Sequence, residues 1–289
     1  MVISSTNITK SKINYIVISI LGIAILTTLV WAGITINRYA KVEKLCREIK
    51  AGKTIETSMA DGTTAPVFFH NICTIMQSDV VKIPLVEACY WGNVQAVETL
   101  LNNGANPNYS LSDNWTPIEA AVNGVASKED CFTIMKLLVE HGANVDQYES
   151  TEPVLFTLAA RLTLSDHVER EKEMILWLLK NGAKSEKSPH NTNVLHLATR
   201  GTDTTFVTTL IEDYQFDVNA KGFEGQTPLI AALRYNNPCA TTEQLTDMVN
   251  ALILSGADVS VMDDNGKSAY DYAVERGLDD LALLLQSIE

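Results

Sequence analysis

Five histidines (His70, His141, His167, His190, His196) and five cysteines (Cys46, Cys73, Cys89, Cys131, Cys239) are the side chains of this 289-residue chain best suited to hold a metal or act as nucleophiles. Such sites need fixed short spacings, as in H-E-x-x-H on one helix face or C-x-x-C across a turn. Neither pattern occurs. The odd cysteine count and irregular spacing do not suggest a disulfide framework, and Cys89, set among small residues, reads as a small hydrophobe. Gly266-Lys267-Ser268 ends like a phosphate loop, but the glycine required five residues earlier is Val261. The pairs Asp263-Asp264 and Asp279-Asp280 lack the alternating spacing of a calcium loop. These residues predict no catalytic group, no metal and no cofactor. An enzyme would need His or acidic residues from distant segments to converge in one cleft.

The charge is distributed unevenly. The chain carries 22 Lys+Arg against 35 Asp+Glu, a formal net charge of −13. Residues 1–80 sum to +3 and residues 81–289 to −16. An apolar fraction of 46% excludes a disordered chain. The acidity argues against a nucleic-acid binder, which needs basic surface for phosphates.

No charge occurs between Lys12 and Arg38. At ~1.5 Å per residue, Ile13–Ile36 makes roughly 36 Å of helix, enough to cross a bilayer core. Tyr15, Trp31 and Tyr39 sit near its ends as interfacial aromatics do. Its length favours an uncleaved single-pass anchor over a cleaved signal. This predicts a tail over 1–12, a transmembrane helix over 13–36 and a juxtamembrane helix with an N-terminal cap over 37–81. Val42, Leu45, Cys46 and Ile49 recur there at helical spacing, on a helix that either packs as a cap or lies on anionic lipid. The expected location is a bacterial inner membrane. Basic residues after the span place the C-terminal part in the cytoplasm, while a start-proximal anchor exports it, so both sides stay open.

The remainder repeats. Gly104-Ala105, Gly142-Ala143, Gly182-Ala183 and Gly256-Ala257 each follow a Leu-rich helical stretch. A second element reads TPIEAA from Thr116 and TPLIAA from Thr227, with weaker copies at Ile83, Glu152, Asn193 and Ser268. Its proline-equivalent positions run 84, 117, 153, 194, 228 and 269. Thr as N-cap with Pro at the first helical position starts a helix, and Gly at its end supplies a left-handed cap. These residues resemble the ankyrin-repeat family, in six copies over about 82–289, the last a C-terminal cap. The fourth copy departs from the pattern, since Tyr214-Gln215-Phe216 replaces its Gly-Ala. The resemblance implies an all-α solenoid of helix-turn-helix repeats with β-turn tips. It also implies that His196, in the inner-helix His slot, is a structural hydrogen-bonder.

In such proteins partners dock on turn tips and on the concave face of the inner helices. The tips supply Tyr109, Asp113, Asn114, Trp115, Tyr148, Glu149, His190, Asn191, Phe223, Glu224, Asp263 and Asp264. The concave face supplies Trp91, Asn123, Arg161, Arg200 and Arg234. The expectation is a non-enzymatic, membrane-tethered module whose acidic array binds a basic protein partner, with no nucleic acid and no small-molecule substrate. Tail, anchor and acidic array look like bacterial membrane-anchored ankyrin proteins, some of which are immunity proteins against secreted toxins. A membrane scaffold or regulator is the alternative.

Overall fold

The computed structural model describes residues 40–55, 83–109, 115–147, 152–162, 168–184, 191–238 and 240–288. The expected tail, the membrane span Ile13–Ile36 and most of the expected N-terminal cap lie outside them. Among the described residues no helix is long and apolar enough to cross a membrane, and no strand occurs.

Two compact units are present. Among the described residues, one comprises those up to Ala88 with Gln95–Ala105; the other comprises Cys89–Val94 and those from Asn106 onward. In the first unit, residues 40–50 are helical (α1) and Val42, Leu45, Cys46 and Ile49 are buried. Their three- and four-residue spacing puts them on one helix face. Gly52 (φ 67) ends the helix by donating to the Ile49 carbonyl at 3.0 Å. Buried Ile55 is then gripped by Gln95, which accepts from the Ile55 N–H at 2.9 Å and donates to its carbonyl at 3.0 Å.

From Pro84 onward the helices come in pairs, an inner helix followed by an outer one. They are α2 (Pro84–Trp91) and α3 (Val94–Asn102), α4 (Pro117–Asn123) and α5 (Lys128–Glu140), and α6 (Val154–Arg161) and α7 (Glu169–Lys180). Then follow α8 (Val194–Ala198) and α9 (Thr204–Glu212), α10 (Pro228–Arg234) and α11 (Thr242–Leu254), and α12 (Ala269–Glu275) and α13 (Asp279–Ile288). In the second unit each inner helix from α4 to α12 packs on its own outer helix, and each from α4 to α10 packs on the next inner helix as well. The core forms where these rows meet, from residues such as Ile118, Met135, Leu158, Leu178, Leu195, Leu210, Leu233 and Leu252.

The Thr-Pro element starts the inner helices for the reason its residue types suggest. Thr116 Oγ1 accepts from the Glu119 N–H at 3.3 Å, and Glu119 Oε2 accepts from the Thr116 N–H at 2.7 Å. Thr227 caps Ile230, and Ser268 forms the same reciprocal box with Asp271. Polar side chains at the third helical position are therefore consumed by the helix start.

Gly104, Gly142, Gly182 and Gly256 have φ between 81 and 93°, and a Cβ at any of them would meet nothing within 4 Å. Their role is conformational rather than steric. In the fourth pair, Gln215 takes the left-handed turn itself, at φ 57. Its side chain donates to the Glu212 carbonyl at 2.6 Å, and Phe216 is buried in the alanine slot. A non-glycine residue there is strained. Gln215→Gly is expected to raise stability by about 0.5–1 kcal/mol, read as an increased urea midpoint at unchanged slope.

Ion pairs tie the outer helices. Lys172 Nζ lies 2.6 Å from Asp203 Oδ2 and 2.7 Å from Glu169 Oε1, and Asp203 Oδ1 caps α9 through the Phe206 N–H at 3.0 Å. Desolvation raises the Asp203 pKa, but the Lys172 ammonium and the cap N–H groups outweigh it, so the net shift is downward. A carboxylate with a depressed folded pKa stabilises above its unfolded value near 3.9 and loses that contribution as pH falls through the folded one. Asp203→Asn should therefore be less stable than the parent at pH 7. The gap should shrink as pH falls to about 3, in urea melts at each pH.

Candidate binding site

The chemistry-bearing residue whose place is clearest is His196. It is buried at the start of α8. Its Nε2 faces the carbonyls of Ala220 at 2.9 Å and Gln226 at 3.0 Å, so Nε2 carries the proton and donates to both. Nδ1 lies 2.7 Å from Asn193 Oδ1 and 3.3 Å from the Asn193 N, and Asn193 Oδ1 accepts from the His196 N–H at 3.2 Å. The imidazole thus staples the tip segment 220–226 to the preceding inner helix. Gly222 passes directly over the ring: a Cβ there would lie 2.8 Å from Nε2.

That tip is tightly built. Gly222 N–H donates to the Gln226 carbonyl at 2.7 Å, Gly225 N–H to Gly222 at 3.1 Å, and Phe223 N–H to Thr192 Oγ1 at 3.2 Å. Glu224 sits in the left-handed region (φ 54, ψ 31), a strained position for a non-glycine residue. Its carboxylate pairs with Arg234, and its carbonyl accepts from the Asp264 N–H of the next tip at 2.9 Å. Gly225 is required by close approach, since a Cβ would meet Asp264 Oδ1 at 2.4 Å. The outcome is a rigid tip that holds the Phe223 ring 50% exposed.

Beside the ring lies a recess of about 230 Å³, lined by Arg200, Phe223, Gln226, Ala231, Arg234 and Tyr235. The Arg200 guanidinium stacks over the Tyr235 ring at 5.5 Å, and its Nε is buried without a hydrogen-bond partner. Burial is the main cause lowering its pKa, with Tyr235 opposing and Arg234 adding to the effect. Arg234 is shifted upward, first by its bond to Glu224.

The recess gathers three expected partner-binding residues, Arg200, Phe223 and Arg234, with Glu224 paired at its edge. The others are dispersed. Asp263, expected as an exposed tip carboxylate, is buried: it accepts from the Tyr272 hydroxyl at 2.6 Å and from the N–H groups of Asn265 and Lys267. Desolvation and that bond to Asp263 push the Tyr272 pKa up to about 12. Asp264 remains exposed. Arg161, expected on the binding face, spends Nη2 on the Val122 carbonyl at 2.6 Å. Trp115 stacks on Tyr90 at 5.8 Å while staying 37% exposed, and half-buried Trp91 meets the same ring edge-on at 5.2 Å. Tyr109 and Asn123 are half-buried, and Asn191 is exposed with φ 59. Asp113, Asn114, Tyr148, Glu149 and His190 lie outside the described residues. The sequence reading missed Gln226 and Tyr235, which flank the recognised TPLIAA element and were legible as its neighbours. Among the described residues no cluster of three or more His, Cys, Asp or Glu is arranged to hold a metal.

Tandem helix pairs with capped inner helices and left-handed glycine stops define an all-α repeat solenoid. The family described as "Ankyrin repeats (3 copies)" matches residues 67–151 and 158–263, more than half of the chain, so the chain belongs to the ankyrin-repeat family. Ankyrin repeats are protein–protein interaction modules. The match begins inside the stretch expected as a cap and stops before α12 and α13. Over 201 residues the chain is 28% identical to ankyrin repeat protein nuc-2 of Neurospora crassa, covering 68% of this chain but 17% of that protein. Over 64 residues it is 41% identical to human ankyrin repeat and SOCS box protein 2, covering 22% of this chain and 9% of that one. The crystal structure of the ankyrin repeat protein EF0377 superposes with a TM-score of 0.57 over 72% of this chain and 98% of that chain, at 23% identity. That likeness establishes the fold alone.

His196→Ala would leave two carbonyls without their shared donor and unpin the tip. It is expected to cost about 2–4 kcal/mol in equilibrium urea unfolding.

Proposed function

We propose that the chain is a membrane-tethered, non-enzymatic ankyrin array that holds a basic protein partner, with α2 to α13 acting as six repeats. The observation that carries the binding role is a rigid tip presenting Phe223, half exposed, beside a recess that no side chain fills. A monomeric protein gains nothing by locking an aromatic ring outward through a strained Glu224, whereas a partner gains a preorganised anchor. The tether rests on the uncharged stretch Ile13–Ile36. The basic partner rests on the net −16 of residues 81–289, which would speed encounter with positive charge.

Tether, acidity and non-enzymatic array together fit an immunity protein that neutralises a secreted toxin. The test is co-expression of the full chain with a toxin encoded beside it, scoring co-purification and cell survival. Deleting 82–289 should abolish both, and full protection without the repeats would sink the reading. Binding without rescue would instead indicate a scaffold. A reporter active only in the cytoplasm, fused after Glu289, reads the side of the membrane. Phe223→Ala should weaken partner binding by about 1–2 kcal/mol, roughly 5- to 30-fold in Kd, with an unchanged melting curve.

A further inference from the structure

The seams between inner helices show how this array uses arginine. Arg161 Nη2 donates to the Val122 carbonyl of the preceding pair at 2.6 Å. Arg276 Nη1 donates to the Leu233 carbonyl at 2.8 Å, and its Nη2 reaches Asn236 Oδ1 at 3.1 Å. Both guanidinium groups are absorbed by the backbone they bridge. At the seam between α8 and α10 that work falls to an amide, since Asn237 Nδ2 donates to the Arg200 carbonyl at 2.9 Å. The Arg200 side chain, at the end of α8, makes no corresponding bond back to α6 and turns over Tyr235 instead. It is half-buried, it lies over Tyr235, and its Nε has no acceptor. Its cationic neighbour Arg234 is already matched by Glu224.

The recess thus holds one cation more than it holds anions. Nε is shielded from solvent, so an arriving acceptor meets the guanidinium at its Nη groups. The group that best matches those Nη donors is a carboxylate, whose two oxygens fit the fork of a guanidinium. Phe223 and Ala231 supply apolar wall for the methylene groups that carry such a carboxylate.

We propose that this recess is the seat for an Asp or Glu side chain of the protein partner, which pairs with Arg200 while its stem packs on Phe223. The proposal rests on the binding role argued above and sharpens it. A partner drawn by the acidic array is basic overall, yet docks in register through one carboxylate that a uniformly basic surface would lack. Register is the property that a wide field of like charge cannot supply.

The test uses the full chain labelled with 15N at arginine, with the Arg200 Nε–H signal assigned by its loss in Arg200→Lys. The probes are N-acetylglutamic acid α-amide, its neutral isostere N-acetylglutamine amide, and inorganic phosphate. A saturable shift of the Arg200 Nε–H with the acid and none with the isostere is expected. Arg234 signals in Arg200→Lys should then show at least a 10-fold weaker apparent affinity for the acid. No saturation with the acid, an equal response to the isostere, or saturation by phosphate alone would each overturn the carboxylate assignment. Failure of the binding role would show differently. Partner capture that survives both Phe223→Ala and Arg200→Gln would remove the interface from the recess, whatever the probe does at Nε.

Discussion

A helix pair exposes main-chain groups at both ends that it cannot satisfy alone, and the neighbouring pair must supply the partners. Asn108 shows the solution: its Nδ2 donates to the Gly142 carbonyl at 2.8 Å and its Oδ1 accepts from the Asn144 N–H at 2.6 Å. Asn219 repeats it, donating to the Gly256 carbonyl at 3.0 Å and accepting from the Asp258 N–H at 2.8 Å. Within each turn a second side chain closes the loop on itself, as Asn106, Asn144, Asp217 and Asp258 each accept from the N–H two residues on. One amide thus fixes the step to the next turn at each of these two places, and the Asp146 carboxylate, accepting from the Lys184 N–H at 2.9 Å, serves at a third. Stability is therefore local and additive along the chain, the condition under which a solenoid tolerates variation within single repeats.

That locality explains why a binding feature can sit in one place. The fourth and fifth pairs differ from the rest in carrying a histidine staple, a left-handed Glu224 and an arginine that the seam does not use. None of these disturbs the neighbouring seams. The strain at Glu224 is offset by its pairing with Arg234 and by the Asp264 N–H on its carbonyl. The tip that results is stiff where a free loop would be mobile, and a stiff aromatic loses little entropy on docking.

The repeat pattern was legible because its punctuation is chemical. Thr-Pro marks helix starts and Gly-Ala marks stops, and both recur in phase. The structural role of His196 was legible from its slot. What could not be read was the fate of individual polar groups. Asp263 looked like an exposed acid because it is one of two adjacent aspartates in a turn. Its burial depends on Tyr272, nine residues away in sequence, and on two backbone N–H groups that only the folded turn brings together. Arg161 and Arg200 looked alike. They separate because Arg161 reaches back to the Val122 carbonyl while Arg200 turns over Tyr235, a difference that no local pattern encodes. Gln215, an apparent defect in the fourth copy, proved to adopt the same backbone turn as the glycines.

The thiols of the second unit carry a consequence of a different kind. Cys89 is fully buried and its pKa is raised far above the ordinary thiol value, chiefly by desolvation; burial lifts Cys131 to about 11. Cys131 is packed against the sulfur atoms of Met135 and Met174 at 3.9 and 4.0 Å. A thiol that is neither ionised nor accessible reacts only when its helix pair opens. These two side chains thus behave as inert filling in a reducing cytosol and in an oxidising periplasm alike. The packing of this part of the array therefore does not depend on the redox poise of its surroundings.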